Sequence, residues 1–257
     1  MTLSKPIQFI VTRPNNRVGS LVDNLAKLSS LENSINIIHC PLIQILDYSE
    51  DSFELSPTYD GVIFISGNAV NYAKDSLSKN IWNQLLSCPL YAIGEQTAAI
   101  LSDELNENEH HSKVIHPQQM NTEGLLALPQ FQAIENQNWL IVKGLGGREK
   151  LKNCLIQAGA KVTELVVYQR KLPNLESQRQ ALCYHQANPC WLITSLQALT
   201  NLWRILEKQP QGCRIIVSSD RIAIQAKKLN FKVVAQSQDA SDQQLIKTVQ
   251  HIIQEQT

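Results

Sequence analysis

The 257-residue sequence predicts an α/β fold in two lobes, and three observations predict it. Short runs rich in Val, Ile and Leu alternate with longer stretches of helical period, the pattern of βα units and parallel sheets. A strand–hydroxyl–helix cassette occurs twice, as Asp60-Gly61-Val62-Ile63-Phe64-Ile65-Ser66-Gly67-Asn68-Ala69-Val70 and as Pro189-Cys190-Trp191-Leu192-Ile193-Thr194-Ser195-Leu196-Gln197-Ala198-Leu199. The flanking segments of the two copies also match, in an order that favours two lobes over one doubly wound domain.

Taken in order, residues 7–11 read as a strand, and a helix over 18–28 carries Leu21, Leu25 and Leu28 on one face. A strand at 35–38 is interrupted by Pro41. Further strands are expected at 61–65, 90–93, 113–115, 139–142, 162–168, 191–193, 214–217 and 232–234. Helices at 81–86, 97–105, 148–158, 176–185, 196–206 and 220–228 lie between them. The second strand of the first cassette, Leu90-Tyr91-Ala92-Ile93-Gly94-Glu95-Gln96-Thr97-Ala98, answers to Arg214-Ile215-Ile216-Val217-Ser218-Ser219-Asp220-Arg221-Ile222-Ala223. Strand 139–142 with its turn, helix and following strand answers to the N-terminal unit 7–38, where Thr12-Arg13-Pro14 closes the first strand.

One lobe therefore keeps its strands in continuous sequence, 39–169, while the other is assembled from 1–38 plus 170–257. The expected fold is two flavodoxin-like parallel sheets, each flanked by helices, joined by two extended crossover segments at 38–45 and 167–173. Two antiparallel crossovers make a stiff hinge that still allows opening and closing. The hydroxyl-tipped strand ends of the lobes are then expected to line one cleft.

Composition sets the partner class. With 43% hydrophobic residues the chain can bury a sizeable core. Lys+Arg 23 against Asp+Glu 23 leaves no net charge, which argues against nucleic acid or an anionic membrane as main partner. The six cysteines have no C-x-x-C spacing, and several sit in apolar contexts, where free thiols pack as small hydrophobes. The apolar run at 7–12 is too short for a signal or a membrane span, so the reading is a soluble, cytoplasmic protein.

The candidate site is a set of anion-binding turns. Val142-Lys143-Gly144-Leu145-Gly146-Gly147-Arg148-Glu149 resembles a phosphate loop but matches neither nucleotide-binding glycine pattern. Its small residues let backbone amides approach an anion at a helix start, and Arg148 can add a bidentate carboxylate contact. Arg13 sits at the carboxyl end of a parallel strand, where open α/β sheets bind ligands. Ser66, Thr97, Thr122, Ser195 and Ser218-Ser219 are each expected as helix N-caps, and the free N–H groups beside a cap remain available to an anion. No nucleophilic triad is present: Ser66 lies outside a G-x-S-x-G turn. His110-His111 and His116 share a polar loop without metal-ligand spacing. Tyr168 ends a strand at the second crossover, either as a half-buried hinge anchor or with its hydroxyl presented as a proton donor.

These ordered segments, closing with Val166-Val167-Tyr168-Gln169-Arg170 and Val217-Ser218-Ser219-Asp220, resemble the uroporphyrinogen-III synthase family over nearly the whole chain. The resemblance implies a monomeric lyase of tetrapyrrole biosynthesis that cyclises hydroxymethylbilane with inversion of ring D and loss of water. It implies no metal and no organic cofactor, and a transient contact with the preceding pathway enzyme. By the same resemblance Tyr168 assists departure of the hydroxyl group, while Ser66, Gly67, Asn68, Thr97, Gly144, Arg148, Ser195, Ser218 and Ser219 line the cleft. A neutral protein can hold a linear tetrapyrrole polycarboxylate through oriented amides and capping hydroxyls. The competing readings are a non-catalytic two-lobed anion-binding or sensor module, and a nucleotide-binding α/β enzyme, which the incomplete glycine loop disfavours.

Overall fold

The computed structural model describes residues 6–29, 35–48, 58–108, 113–147 and 149–255. The strands in chain order are β1 (Ile7–Val11), β2 (Ile35–His39), β3 (Gln44–Asp47), β4 (Gly61–Phe64), β5 (Leu90–Ala92) and β6 (Val114–Ile115). They continue as β7 (Asn138–Gly144), β8 (Lys161–Lys171), β9 (Cys190–Ile193), β10 (Arg214–Val217) and β11 (Lys232–Gln236). The helices are α1 (Asn15–Val18), α2 (Leu21–Ala26), α3 (Gly67–Ser76), α4 (Lys79–Leu86), α5 (Glu95–Glu107) and α6 (Thr122–Leu126). After them come α7 (Lys150–Gln157), α8 (Leu175–Gln186), α9 (Leu196–Ile205), α10 (Asp220–Lys228) and α11 (Asp242–Glu255).

Contacts divide the chain into one unit of Met1–Gln44 with Lys171–Thr257 and another of Ile45–Arg170. The first unit holds a sheet ordered β11-β10-β9-β1-β2, every pair parallel. Counted along its own chain this is order 2-1-3-4-5, the flavodoxin-like winding. The second unit is ordered β3-β8-β7-β4-β5-β6, with parallel pairing from β8 through β6. Taking β7 as its first strand gives the same winding, with β3 added outside β8. The predicted flavodoxin-like parallel sheets are therefore present in both units. The topological switch point, where such sheets bind ligands, falls between β1 and β9 in one and between β7 and β4 in the other.

Alternation along the strands sends side chains to two faces of each sheet. In the second unit Val62, Phe64, Leu140, Val142, Leu165 and Val167 meet α3, α4 and α5 in one core. Ile63, Trp139 and Ile141 meet α6 and α7 in the other. In the first unit Phe9, Val11, Leu192 and Ile216 pack under Leu21 and Leu25 of α2 and Leu245, Val249 and Ile252 of α11. Fully burying such side chains contributes about 1.5–3 kcal/mol each.

One expectation fails locally. The helix read at 18–28 is shorter, α2 over Leu21–Ala26, because Gly19 at φ 47 separates it from α1. Leu21 and Leu25 are buried and Leu28 packs against the same core, so the hydrophobic period holds beyond the helix's ends. The buried thiols behave as packed hydrophobes: burial pushes Cys190 and Cys213 up to about 12 and Cys40 up to about 11. Among the described residues, no helix is long and apolar enough to cross a membrane.

A buried charge cluster braces β7 and β8. Lys143, 5% exposed, pairs with Glu164 at 2.6 Å and Glu149 at 3.3 Å, and Lys152 reaches Glu164 at 2.7 Å. Burial would raise the Glu164 carboxyl, but the two ammonium groups outweigh it and hold it below the usual carboxylate range. A depressed carboxylate contributes stability that is fully present above its unfolded titration, near about 4.3, and that is lost as pH falls through the folded value. Removing its charge also leaves Lys143 with one weaker partner. Glu164→Gln should cost about 2 kcal/mol at neutral pH and shrink the loss of stability between neutral and acid pH. Urea melts at both pH values test this; an unchanged acid dependence would refute it.

Candidate active site

The strongest cluster lies at the switch point of the second unit, where the turns after β4 and β7 adjoin the end of β8. Up to Lys143 the two strands pair in regular register, with Lys143 opposite Val166. The register then shifts, so that Gly144 stands opposite Tyr168 and Val167 is the extra residue. Strict alternation would send Tyr168 to the face opposite Val167. The bulge instead leaves both in the core beside α3.

There Tyr168 is 2% exposed, and its ring crosses the backbone of Gly144. A Cβ on Gly144 would stand 2.5 Å from the ring's Cζ, so only glycine fits. Tyr72 of α3 flanks the ring at 5.7 Å between centroids and ties its own hydroxyl to the Ile45 carbonyl. Arg170 places its guanidinium carbon 5.3 Å from the ring centroid and donates from Nη2 to the Tyr168 hydroxyl at 2.9 Å. The Ser66 hydroxyl lies 3.2 Å from the same oxygen. Tyr168 is thus no half-buried anchor: it is fully packed, with its polar end held by a cation and a hydroxyl.

Ser66 is also the N-cap of α3, accepting the Ala69 amide at 3.1 Å. Gly67 and Asn68 follow as the first two residues of that helix, both buried. The other cassette repeats the arrangement in the first unit, with Ser195 capping α9 through the Ala198 amide at 3.1 Å. Ser219 caps α10 through the Ile222 amide at 3.4 Å. Three expected caps are not caps. Ser218 is buried one residue before the cap, Thr97 lies inside the first turn of α5 behind Gly94, and Asn121 in place of Thr122 caps α6. The cap is the last extended residue before a helix; Gly94 (φ −171, ψ 170) and Asn121 (φ −152, ψ 178) hold that position.

Arg13 is neither solvated nor aimed outward. It pairs with Asp242 at 2.5 Å and donates to the Ala240 carbonyl, tying the end of β1 to the start of α11. Arg148 and the pair His110-His111 lie outside the described residues. His116 contacts the Pro117 carbonyl at 3.3 Å, and no group of three metal-ligating side chains occurs among the described residues. Sequence reasoning assigns no role to Arg170 or Tyr72. Arg170 has an available signal, since residues two apart on a strand share a face. Tyr72 has none, because a contact from helix to strand is tertiary.

Parallel sheets with hydroxyl-capped helices at their carboxyl ends, and a phenol held by charged and polar groups at a switch point, form an α/β protein of the kind that binds small molecules at such points. The chain matches the family model described as uroporphyrinogen-III synthase HemD over residues 25–247. Uroporphyrinogen-III synthase of Escherichia coli K12 is 27% identical over 253 residues, covering 95% of this chain and 100% of the relative. That of Proteus mirabilis is 33% identical over 189 residues, covering 70% of this chain and 89% of the relative. Among solved structures, uroporphyrinogen-III synthetase of Helicobacter pylori 26695 superposes with a TM-score of 0.63 at 18% identity, covering 94% and 97% of the two chains. A mutant uroporphyrinogen III synthase of Thermus thermophilus gives 0.57 at 12% identity over 98% and 100%. At those identities the two structures speak for the fold alone. The chain belongs to the uroporphyrinogen-III synthase family and is an enzyme of its kind, a cyclising lyase.

Proposed function

We propose that this chain cyclises hydroxymethylbilane, a linear tetrapyrrole, to uroporphyrinogen III, inverting ring D and releasing water without a metal or organic cofactor. Family membership supports the reaction, and one observation supports the chemistry: the buried Tyr168 phenol, polar at its tip, with Ser66 and Arg170 as partners. Tyr168 donates its proton to the departing hydroxyl, which opens the way to an azafulvene. General acid assistance of this kind typically contributes about 10²–10⁴-fold. A sensor module needs only to hold its ligand and has no use for such a donor.

The substrate's carboxylates are taken by backbone amides and hydroxyls at helix starts. In the second unit these are Ser66, Gly67, Asn68, Thr97 and the turn Gly144 to Arg148; in the first, Ser195, Ser218 and Ser219. Arg13, at the carboxyl end of β1 and held there by Asp242, also takes a substrate carboxylate. The enzyme acts as a cytoplasmic monomer that receives substrate through transient contact with the preceding pathway enzyme. Incubation with hydroxymethylbilane should give isomer III in excess over isomer I, which forms without enzyme. An isomer ratio equal to the enzyme-free control would overturn the reading.

A further inference from the structure

We propose that Arg170 is a positioning residue for the reaction: with the Ser66 hydroxyl it holds the Tyr168 phenol oxygen so that the phenolic proton can point only toward the substrate's departing hydroxyl. The inference rests on Tyr168 being the proton donor. A phenol oxygen carries one hydrogen and accepts at its lone pairs, whereas a guanidinium only donates. The Arg170 contact at 2.9 Å therefore makes the Tyr168 oxygen an acceptor on that side. Ser66 Oγ accepts the Ala69 amide at 3.1 Å and lies 3.2 Å from the phenol oxygen, where either hydroxyl can donate; in the arrangement proposed Ser66 donates. With both neighbours donating, the phenol's hydrogen must point away from both.

The ring has little freedom to evade this arrangement. The close approach to Gly144, the Tyr72 ring at 5.7 Å and the guanidinium at 5.3 Å confine it, so the O–H rotor is the main freedom left. During the reaction the proton passes from the phenol to the leaving oxygen, and the electron pair of the breaking C–O bond departs with that oxygen as water. The methylene carbon becomes the azafulvene carbon. The phenolate left behind sits between two donors, where charge-assisted hydrogen bonds are strongest. It is then the base that removes the ring-carbon proton the cyclised product must lose, which restores the phenol. Arg170 acts throughout on Tyr168 and not on the substrate.

The test is a kinetic double-mutant cycle, with Arg170→Gln made in the native chain and in Tyr168→Phe. In the native background kcat should fall about tenfold with KM within about twofold, and in the Phe background the same change should cost nothing further. Arg170→Lys, which keeps a cationic donor, should recover part of the rate and serves for the cycle if the Gln variant does not fold. Equal losses in both backgrounds, or a raised KM at unchanged kcat, would overturn the inference alone and make Arg170 a substrate contact. An unchanged rate in Tyr168→Phe itself would overturn the donor assignment and this inference with it.

Discussion

Tyr168→Phe should lower turnover by about 10²-fold while leaving activity above the uncatalysed rate, with stability changed by no more than about 1 kcal/mol. The substitution removes one oxygen from a ring whose packing against Gly144 and Tyr72 is otherwise untouched. Two donors lose their acceptor. Ser66 keeps its cap to Ala69, and Arg170 lies at the exposed end of β8, where water can replace the phenol. The loss should therefore appear in the chemical step and not in folding. Complete inactivation is not expected, because orienting ring D for attack is a positioning task that the remaining contacts still perform. Steady-state assays of isomer III, with thermal melts alongside, measure both quantities. Turnover at the native rate would remove Tyr168 from the mechanism.

Gly144→Ala should damage both stability and activity. The added carbon would lie 2.5, 2.6 and 2.9 Å from three atoms of the Tyr168 ring. Real side chains do not approach that closely, so the ring or the strand must move. The ring is enclosed on its other sides, and overpacking of this kind should cost about 3 kcal/mol. Activity should fall at least as far as in Tyr168→Phe, because the phenol oxygen leaves its seat between Ser66 and Arg170. Gly146→Ala is the matched control. At φ 75 it strains the same loop, but no atom lies within 4 Å of its added carbon. It should cost about 1 kcal/mol and leave the ring in place. Equal stability and activity of the two variants would show that loop strain, not collision with Tyr168, explains the glycine.

Much of this fold is legible in the sequence because the signals are local. The run Ile7–Val11 and the run Arg214–Val217 are strands by apolar content, and Asp220–Lys228 is a helix by period and by its Ser219 cap. The duplicated cassette surfaces as two identical N-caps, Ser66 on α3 and Ser195 on α9. Where a local signal is ambiguous, the residue it picks is off by one or more. Thr97, Thr122 and Ser218 look like caps because each is a hydroxyl near a helix start, yet the extended residue that can cap is decided by where the strand lets go. The ion pair of Arg13 with Asp242 is not legible along the chain, because the two are remote in sequence.

Reading along the chain is enough for the α/β class, the positions of nearly every strand, and the two hydroxyl-tipped cassettes. It suffices there because hydrophobic period and capping chemistry act over a few residues. The direction in which Tyr168 sends its side chain comes from elsewhere, from the way β7 and β8 pair. A single extra residue, Val167, turns the ring onto the face of α3, over Gly144 and against Ser66 and Arg170. Alternation read along β8 alone points the ring the other way. A bulge belongs to the pairing of two strands, so no reading of one strand contains it.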